Sequence, residues 1–236
     1  MFVEKNFSIL KSFGYRVITK TGVDVGYLST TAVTELENID DVGRKMLHLK
    51  KMIERIQSSL RAVDKCQKPV IAAIHGYCIG AGVDLIAACD IRFCSQDVTF
   101  SIKEAEMGLA ADVGTLQLLP KLIGNHSLFR ELVYSSRMFN ANEAKDLQLV
   151  SRIFENRDVM LKAAIELAET MSKKSPIAVQ GSKINLNYAR DHSVDDCFKF
   201  VTAWNSGMLL SEDVIKSIMA SMSKSDSNES VKFDDV

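Results

Sequence analysis

Proline is scarce in this chain of 236 residues, which has only Pro69, Pro120 and Pro176. Few helix breakers beside abundant Ala, Leu, Ile, Met and Lys predict a helix-rich fold. Long apolar runs are also missing. The longest, residues 70–83, is interrupted by His75 and falls short of the ~20 apolar residues that a membrane-spanning helix needs. We therefore expect a globular protein without a membrane span.

The chain also lacks an excess of charge of either sign. It has 29 basic and 30 acidic side chains and a formal net charge of -1. Without a clustered basic surface it has nothing to match the phosphates of DNA or RNA, so we expect no nucleic-acid partner. With 47% apolar residues, the chain can form one large or two small domains.

The five cysteines form no CxxC pair, and no histidine stands at the spacing of a metal ligand. Because their number is odd, they cannot all pair within the chain. We interpret them as reduced, buried apolar side chains of an intracellular protein. The sequence predicts no metal site.

The two ends of the chain differ from its middle. In residues 1–20, Glu4 and the low Ser and Arg content argue against a targeting leader, and we expect a short helix leading into a strand. Residues 225–236 are polar and acidic and predict a disordered tail. They end in Asp-Asp-Val and not in a Ser-Lys-Leu type address.

Strands alternate with helices in the first half of the chain. Apolar residues recur at threes and fours over residues 40–65, which predicts one long amphipathic helix. Residues 70–74 are apolar and rich in β-branched side chains, as in a buried strand of a parallel sheet. A glycine-containing turn over 75–82 and a helix over 83–89 follow. Two more short strands are predicted over 90–95 and 98–102.

Beyond Pro120 the pattern becomes almost entirely helical. The predicted helices are residues 140–146, which open with a capping-box pattern of Asn140 and Glu143, residues 158–173, and runs that start near Pro176 and Ser193.

The turn Gly80-Ala81-Gly82 is a candidate oxyanion site. Glycines allow close backbone approach, and the first amides of a helix are unpaired donors at its positive end. The alternative is that these small residues serve packing alone.

Three acidic residues could supply proton-transfer chemistry near this turn. Asp84 either complements the helix dipole or is a pocket acid, and Asp112, alone in the otherwise uncharged stretch 107–120, is either a helix cap or catalytic. If both converge with Glu104, desolvation and repulsion raise at least one pKa, which leaves an acid and a base together at neutral pH.

These residues carry a resemblance to a known family. Residues 68–124 resemble the core of the enoyl-CoA hydratase/isomerase (crotonase) superfamily, and Asp84, Glu104 and Asp112 together match the pattern of the Δ3,5-Δ2,4-dienoyl-CoA isomerases. The resemblance covers residues 21–224. It implies an α/β fold, a crotonase-like spiral of βαβ units followed by a C-terminal helical trimerisation region.

The implied organisation has four parts, and the first departs from the family. They are an atypical N-terminal segment (1–20), a shortened crotonase-like α/β core (21–135), a C-terminal helical oligomerisation region (136–224) and the tail (225–236). The family opens with several strands and an Asn-Arg-Pro-like segment. Since no proline precedes Pro69, we expect those opening strands to be absent.

The resemblance further implies an acyl-CoA thioester substrate and no separate cofactor, because coenzyme A is part of the substrate. The amides of Ala81 and Thr21 would form the oxyanion hole. The implied substrate-binding residues are Lys20, Thr21, Gly22, Val23, Asp24, Gly80 and Ala81. The implied assembly is a homotrimer or a dimer of trimers, and the implied compartment is the peroxisome or mitochondrion.

In the implied mechanism, Glu104 and Asp112 are the base and acid that move a proton from C2 to C6 of a dienoyl chain, and Asp84 orients groups in the site. Hydratases resemble this core but usually carry glutamate where Asp84 stands and glycine near Asp112. The alternatives are a catalytically silent shortened isoform that acts as an oligomer subunit, or an enoyl-CoA hydratase. We interpret His75 as structural and Trp204 as a core or subunit contact.

Overall fold

The computed structural model describes the backbone of residues 9–12 and 15–18, and residues 36–222 and 231–235 with their side chains. The strands are β1 (Ile9–Ser12), β2 (Tyr15–Ile18), β3 (Val70–Ile74), β4 (Tyr77–Ile79), β5 (Ile91–Ser95), β6 (Thr99–Ser101), β7 (Phe139–Asn140) and β8 (Arg152–Phe154). The α-helices are α1 (Val42–Asp64), α2 (Ala81–Ala87), α3 (Thr115–Leu118), α4 (His126–Ser135), α5 (Ala141–Asp146), α6 (Arg157–Ser172), α7 (Pro176–Ala189), α8 (Val194–Met208) and α9 (Glu212–Met222).

The larger sheet has the strand order β1-β2-β3-β5-β8. β2, β3, β5 and β8 run parallel to one another, and β1 is antiparallel to β2. The register pairs Ile71 of β3 with Val17 on one side and Ile91 on the other. A smaller sheet, β4-β6-β7, pairs Cys78 with Phe100 and Phe100 with Phe139.

Strand β3 is buried along its whole length because both faces of the sheet are covered. Its alternate residues Val70, Ala72 and Ile74 enter the main core, which α2 and α4 also line. Ile71 and Ala73 point to the other face, where Met160, Ala164 and Ala168 of α6 cover them. This two-sided burial explains why β3 reads as a continuous apolar run.

The predicted long helix is confirmed as α1. The Asp41 carboxylate caps its N-terminus by accepting a 2.8 Å hydrogen bond from the Arg44 amide. Leu60 and Val63 pack against the main core, whereas Val42 and Met46 near the start are 80% and 63% exposed. The helix therefore lies on the surface and is held mainly by its C-terminal half.

The predicted strands β3, β5 and β6 and the later helices are confirmed within a few residues. The Asn140–Glu143 capping box opens α5 with both of its reciprocal hydrogen bonds. Two details are corrected. The turn over 75–82 contains the short strand β4, which pairs with β6, and the region beyond Pro120 contains β7 and β8, because each adds to a sheet edge that neighbouring strands supply.

The expectation that opening strands are absent is wrong for residues 9–12 and 15–18, which form the antiparallel pair β1 and β2. β2 then pairs in parallel with β3, at residues Arg16 to Ile18. The physical reason is that β3 has backbone groups that need partners on this side, and the segment 15–18 supplies them. A helix ahead of β1 would lie outside the described residues.

The expectation of a disordered tail is wrong for residues 231–235. These residues have no regular secondary structure but lie against the body of the protein. Asp235 pairs with Lys68 at 2.8 Å, Asp234 pairs with Lys216 at 3.2 Å, and Phe233 is half-buried. The two ion pairs and the half-buried Phe233 link this segment to the rest of the protein.

Within residues 36–222 and 231–235, no helix has the length and apolar character required to cross a membrane. None of the five cysteines, all of which lie in the described part of the chain, forms a disulfide; Cys78, Cys89 and Cys94 are buried, and Cys66 and Cys197 are partly exposed. Burial raises the pKa of the Cys89 and Cys94 thiols to about 12. The prediction of buried apolar cysteines is thus confirmed for three of the five.

Candidate active site

The site is built around the turn between β4 and α2. Gly80 occupies that turn with φ +53° and ψ -120°, a combination that only glycine adopts readily. Its own amide donates to the Ser101 carbonyl at 2.9 Å. In the described part of the chain, no backbone carbonyl accepts from the amides of Ala81 and Gly82. The first turn of α2 therefore presents unpaired donors beside the carboxylates described below.

Asp84 lies in this first turn and is completely buried. Its Oδ1 accepts a 2.6 Å hydrogen bond from the Thr115 amide. Its Oδ2 is buried and has no hydrogen-bond partner among the described residues. One oxygen is thus fixed while the other remains available in the interior.

The loop that follows Asp112 approaches Asp84 closely through Gly114. A Cβ added to Gly114 would lie 3.1 Å from the carbonyl oxygen and 3.3 Å from the Cβ of Asp84. Both are tighter than ordinary van der Waals contact, so glycine lets this loop pack directly on α2. The Thr115 amide can reach the carboxylate for that reason.

Glu104 starts a short 3-10 helix, Glu104–Met107, directly after β6. A Cβ added to Gly80 would lie 3.3 Å from its Oε1, which places the carboxylate against the turn that opens α2. The other oxygen, Oε2, is buried and has no hydrogen-bond partner in the described part of the chain. Glu104 therefore faces the unpaired amides of the turn.

Asp112 lies in the irregular segment between the 3-10 helix and α3 and is half-buried. The segment is held from outside, because Gln57 of α1 donates a 2.6 Å hydrogen bond to the Asp112 carbonyl. Gln117 donates a 3.3 Å bond to the neighbouring Ala111 carbonyl. Neither a cap nor a helix explains the position of Asp112, which stands three residues before α3 begins at Thr115.

The three carboxylates influence one another electrostatically. Burial raises the pKa of Asp84, contacts with Thr115 oppose the rise, and the charge of Asp112 adds to it. Burial also raises the pKa of Glu104, backbone hydrogen bonds oppose this, and the charges of Asp84 and Asp112 add to it. Carboxyls with raised pKa values in one site are suited to hold and release protons near neutral pH.

Arg92 of β5 fixes the far end of α2. Its guanidinium donates to the carbonyl of Ile86 at 3.2 Å, to that of Cys89, and to that of Leu149 at 2.7 Å. A cation at the C-terminus of a helix satisfies its unpaired carbonyls and complements its dipole. Arg92 thereby sets the position of the helix that carries Asp84.

Sequence reasoning predicted part of this arrangement. The structure brings Asp84, Glu104, Asp112, Gly80 and Ala81 into one region. The predicted residues Lys20, Thr21, Gly22, Val23 and Asp24 lie outside the described residues, so that half of the oxyanion hole stays a prediction.

Four residues that shape the site went unnoticed, namely Gln57, Arg92, Gly114 and Thr115. Gly114, two residues after Asp112, could have indicated a close approach of the backbone, whereas nothing in the sequence indicates a role for Gln57. Among the described residues, no group of His, Cys, Asp or Glu is arranged to hold a metal ion.

Comparison with known proteins places the chain in a family. The family described as "Enoyl-CoA hydratase/isomerase" matches residues 37–226. A rat protein named "Delta(3,5)-Delta(2,4)-dienoyl-CoA isomerase, mitochondrial" is 57% identical over 194 residues, which are 82% of this chain and 59% of the relative. An Arabidopsis thaliana protein of the same name, designated peroxisomal, is 44% identical over 204 residues, 86% of this chain and 73% of the relative.

The chain thus spans 59% of the length of the rat relative. The fold also matches a solved structure, the enoyl-CoA hydratase from Bacillus anthracis, with a TM-score of 0.78 and 21% identity over 97% of this chain and 99% of that one. The match shows the same crotonase-like fold. By its sequence and its fold, the chain belongs to the enoyl-CoA hydratase/isomerase family.

Proposed function

We propose that this chain isomerises a 3,5-dienoyl-CoA to the conjugated 2,4-dienoyl-CoA. The observation that carries the proposal is the third carboxylate. Asp112 lies close enough to Asp84 and Glu104 for its charge to raise the pKa of both. Two carboxylates suffice to add water to a double bond, whereas a third one further along the acyl chain serves proton transfer between remote carbons.

The reaction balances within the substrate. One member of the pair Glu104 and Asp112 removes a proton from C2. The electron pair of the broken C2–H bond delocalises onto the thioester oxygen and, through the diene, onto C4 and C6, which gives an extended dienolate. The other member delivers a proton to C6, so the double bonds move from the 3 and 5 positions to the 2 and 4 positions. No cofactor takes part, because coenzyme A is carried by the substrate.

The amide of Ala81, which has no backbone acceptor among the described residues, supports the electrostatic part of this mechanism. Charge develops on the thioester oxygen as the dienolate forms, and a donor fixed at a helix start stabilises it without reorganising. The removal of one such donor typically costs about 3–4 kcal/mol of barrier. Thr21 is proposed to supply the second amide. Asp84, with one oxygen fixed by Thr115, is proposed to orient the pair.

The names of the relatives support the same substrate class. The rat and Arabidopsis thaliana proteins are named as dienoyl-CoA isomerases, one mitochondrial and one peroxisomal. We therefore propose a role in fatty acid β-oxidation in one of those compartments, with an acyl-CoA thioester as the partner.

The C-terminal helices support a proposal for the assembly. They expose apolar side chains that a monomer would leave in water, which favours a homotrimer or a dimer of trimers. These exposed side chains include Leu186, Val194, Phe198, Leu209, Leu210, Ile215, Ile218, Met219 and Met222. Size-exclusion chromatography with light scattering tests this proposal directly.

The decisive experiment mixes the purified protein with 3,5-octadienoyl-CoA and follows the ultraviolet absorbance of the product. The absorbance rises because the product has a diene conjugated to the thioester. We expect turnover, and a loss of about 10²-fold or more in kcat for Asp112→Asn and for Glu104→Gln, as for other general acids and bases. The matched control is Asp158→Asn, which removes an exposed carboxylate on α6.

The other outcomes discriminate between the alternatives. A folded oligomer without turnover would support a catalytically silent subunit. Water addition to a 2-enoyl-CoA without diene isomerisation would support an enoyl-CoA hydratase.

A further inference from the structure

The Asp112 segment has one hydrogen bond that comes from a distant helix. Nε2 of Gln57, about two turns before the end of α1, lies 2.6 Å from the backbone carbonyl of Asp112. The two residues are 55 positions apart in the chain. A contact of this kind can arise only through the tertiary structure.

The remaining anchors of the segment do not replace this bond. Thr115 donates to Asp84 and Gln117 donates to Ala111, but among the described residues no other group donates to the Asp112 carbonyl. The segment between the 3-10 helix and α3 has no helix or strand of its own. Its peptide planes are therefore oriented by these few bonds.

The carbonyl of Asp112 and its side chain leave the same Cα. A change in the orientation of this peptide rotates the Cα–Cβ bond and moves the carboxylate relative to Glu104. Catalytic groups must be held within about 0.5 Å of their productive position, and a misplacement of about 1 Å can cost 10²-fold in rate. A neutral donor suits this task, because it does not change the charge of the site.

Two other polar links of α1 to the rest of the protein lie at its C-terminal end, where Arg190 pairs with Asp64 at 2.7 Å and Asn187 donates to the Asp64 carbonyl at 3.2 Å. No residue of α1 is fully buried, and only Leu60 and Val63 among its last turns pack against the main core. The hydrogen bond from Gln57 is thus a specific link between α1 and the segment that carries Asp112.

We propose that Gln57 is a positioning residue for Asp112, acting through the backbone carbonyl to hold the carboxylate where proton transfer occurs. The proposal rests on the proposed isomerase function. It adds to that function a residue whose hydrogen bond goes to the backbone carbonyl of Asp112 and not to the carboxylate.

The test compares the full-length protein with Gln57→Met, which keeps size and neutrality but removes the donor. We expect kcat to fall by about 10-fold or more while KM stays within about twofold. The affinity for octanoyl-CoA, a saturated ligand that cannot react, should also stay within about twofold. Amide hydrogen exchange should become faster in the segment 108–115. The matched control, Gln96→Met, changes an exposed glutamine between β5 and β6 and should alter none of these quantities.

Two outcomes would overturn the proposal where the wild-type protein is active. An unchanged kcat shows that the bond does not position Asp112. A parallel loss of octanoyl-CoA affinity, kcat and melting temperature shows a structural role only. An inactive wild-type protein would instead refute the proposed function. In that case, amide hydrogen exchange in Gln57→Met still tests the role of Gln57. Unchanged exchange over 108–115 would overturn the proposal that Gln57 holds this segment, and faster exchange would support it.

Discussion

The amide of Thr115 donates a 2.6 Å hydrogen bond to Oδ1 of Asp84, across 31 positions of the chain. This bond ties the segment that carries Asp112 to the helix that presents the unpaired amides. It also leaves Oδ2 of Asp84 buried without a partner in the described part of the chain. The site thus contains a carboxylate that is stabilised on one side only, and its ionisation must cost free energy.

Asp84→Asn should stabilise the protein, and more so as the pH rises. Burial raises the pKa of Asp84 above its ordinary value of 3.8. Between that value and the folded-state pKa, the folded state binds more protons than the unfolded state, so stability falls as the pH rises. Asparagine does not ionise, so the variant does not lose stability in this way. Its Oδ1 can still accept a hydrogen bond from the Thr115 amide.

The measurement is the difference in melting temperature between Asp84→Asn and wild type as a function of pH. We expect a difference that is small or negative below pH ~4 and becomes positive towards neutral pH, at about 2–4 °C for each kcal/mol. The exposed carboxylate variant Asp158→Asn is the control. A difference that does not change with pH would show that the charge of Asp84 is not destabilising.

Lys183→Met should destabilise the protein by breaking an ion pair in which the lysine is buried and the Asp90 side chain is 26% exposed. Lys183 Nζ lies 2.7 Å from Asp90 Oδ2 and 3.2 Å from the Lys68 carbonyl, and only 6% of its side chain is exposed. Its removal leaves Asp90 with the Val70 amide as its hydrogen-bond donor. Breaking such a pair typically costs on the order of 3 kcal/mol.

Urea unfolding checks this prediction. Lys162→Met is the control, because Lys162 is 80% exposed and its pair with Glu166 has a length of 4.0 Å; we expect less than about 1 kcal/mol there. The double variant Lys183→Met/Asp90→Asn should regain part of the loss. Equal effects of the two lysine variants would contradict the assigned role.

Gly181→Ala should displace the only tryptophan of the chain. A Cβ at Gly181, a buried position of α7, would lie 2.7 Å from Nε1 of Trp204 on α8. The indole must shift, at a cost of about 1–3 kcal/mol for overpacking. Since Trp204 is the sole indole fluorophore, its emission maximum should change together with a lower melting temperature.

Gly207→Ala is the matched control for this variant. Gly207 also lies in α8, but nothing stands within 4 Å of an added Cβ. We expect unchanged emission and a gain of about 0.5–1 kcal/mol from the better helix propensity of alanine. Unchanged emission in Gly181→Ala would mean that the two helices pack differently.

Native protein should react slowly with thiol reagents at three of its five cysteines. Cys78, Cys89 and Cys94 are buried, and burial raises the pKa of the latter two to about 12, so hardly any thiolate exists at pH 8. We expect fast modification of at most two thiols, Cys66 and Cys197, and of five after denaturation. Fast reaction of more than two would contradict the buried positions.

Much of the fold was predictable because its signals are local. The α1 periodicity, the apolar β3 run and the Asn140–Glu143 capping box each depend on residues a few positions apart, and the structure confirms them. The wrong predictions concern segments whose structure depends on residues that are distant in the chain. The β2 segment becomes a strand because β3 lies beside it, and residues 231–235 are ordered by Lys68 and Lys216.

The site divides in the same way. The candidate residues could be selected from the sequence alone, because Asp84, Glu104 and Asp112 are carboxylates beside apolar segments and a glycine turn. Three features required the folded chain: the interaction of their charges, the close approach of one loop to Asp84 at Gly114, and the hydrogen bond from Gln57 to the Asp112 carbonyl. Residue type and spacing act over a few positions, whereas burial and hydrogen bonds between distant residues exist only once the chain has packed.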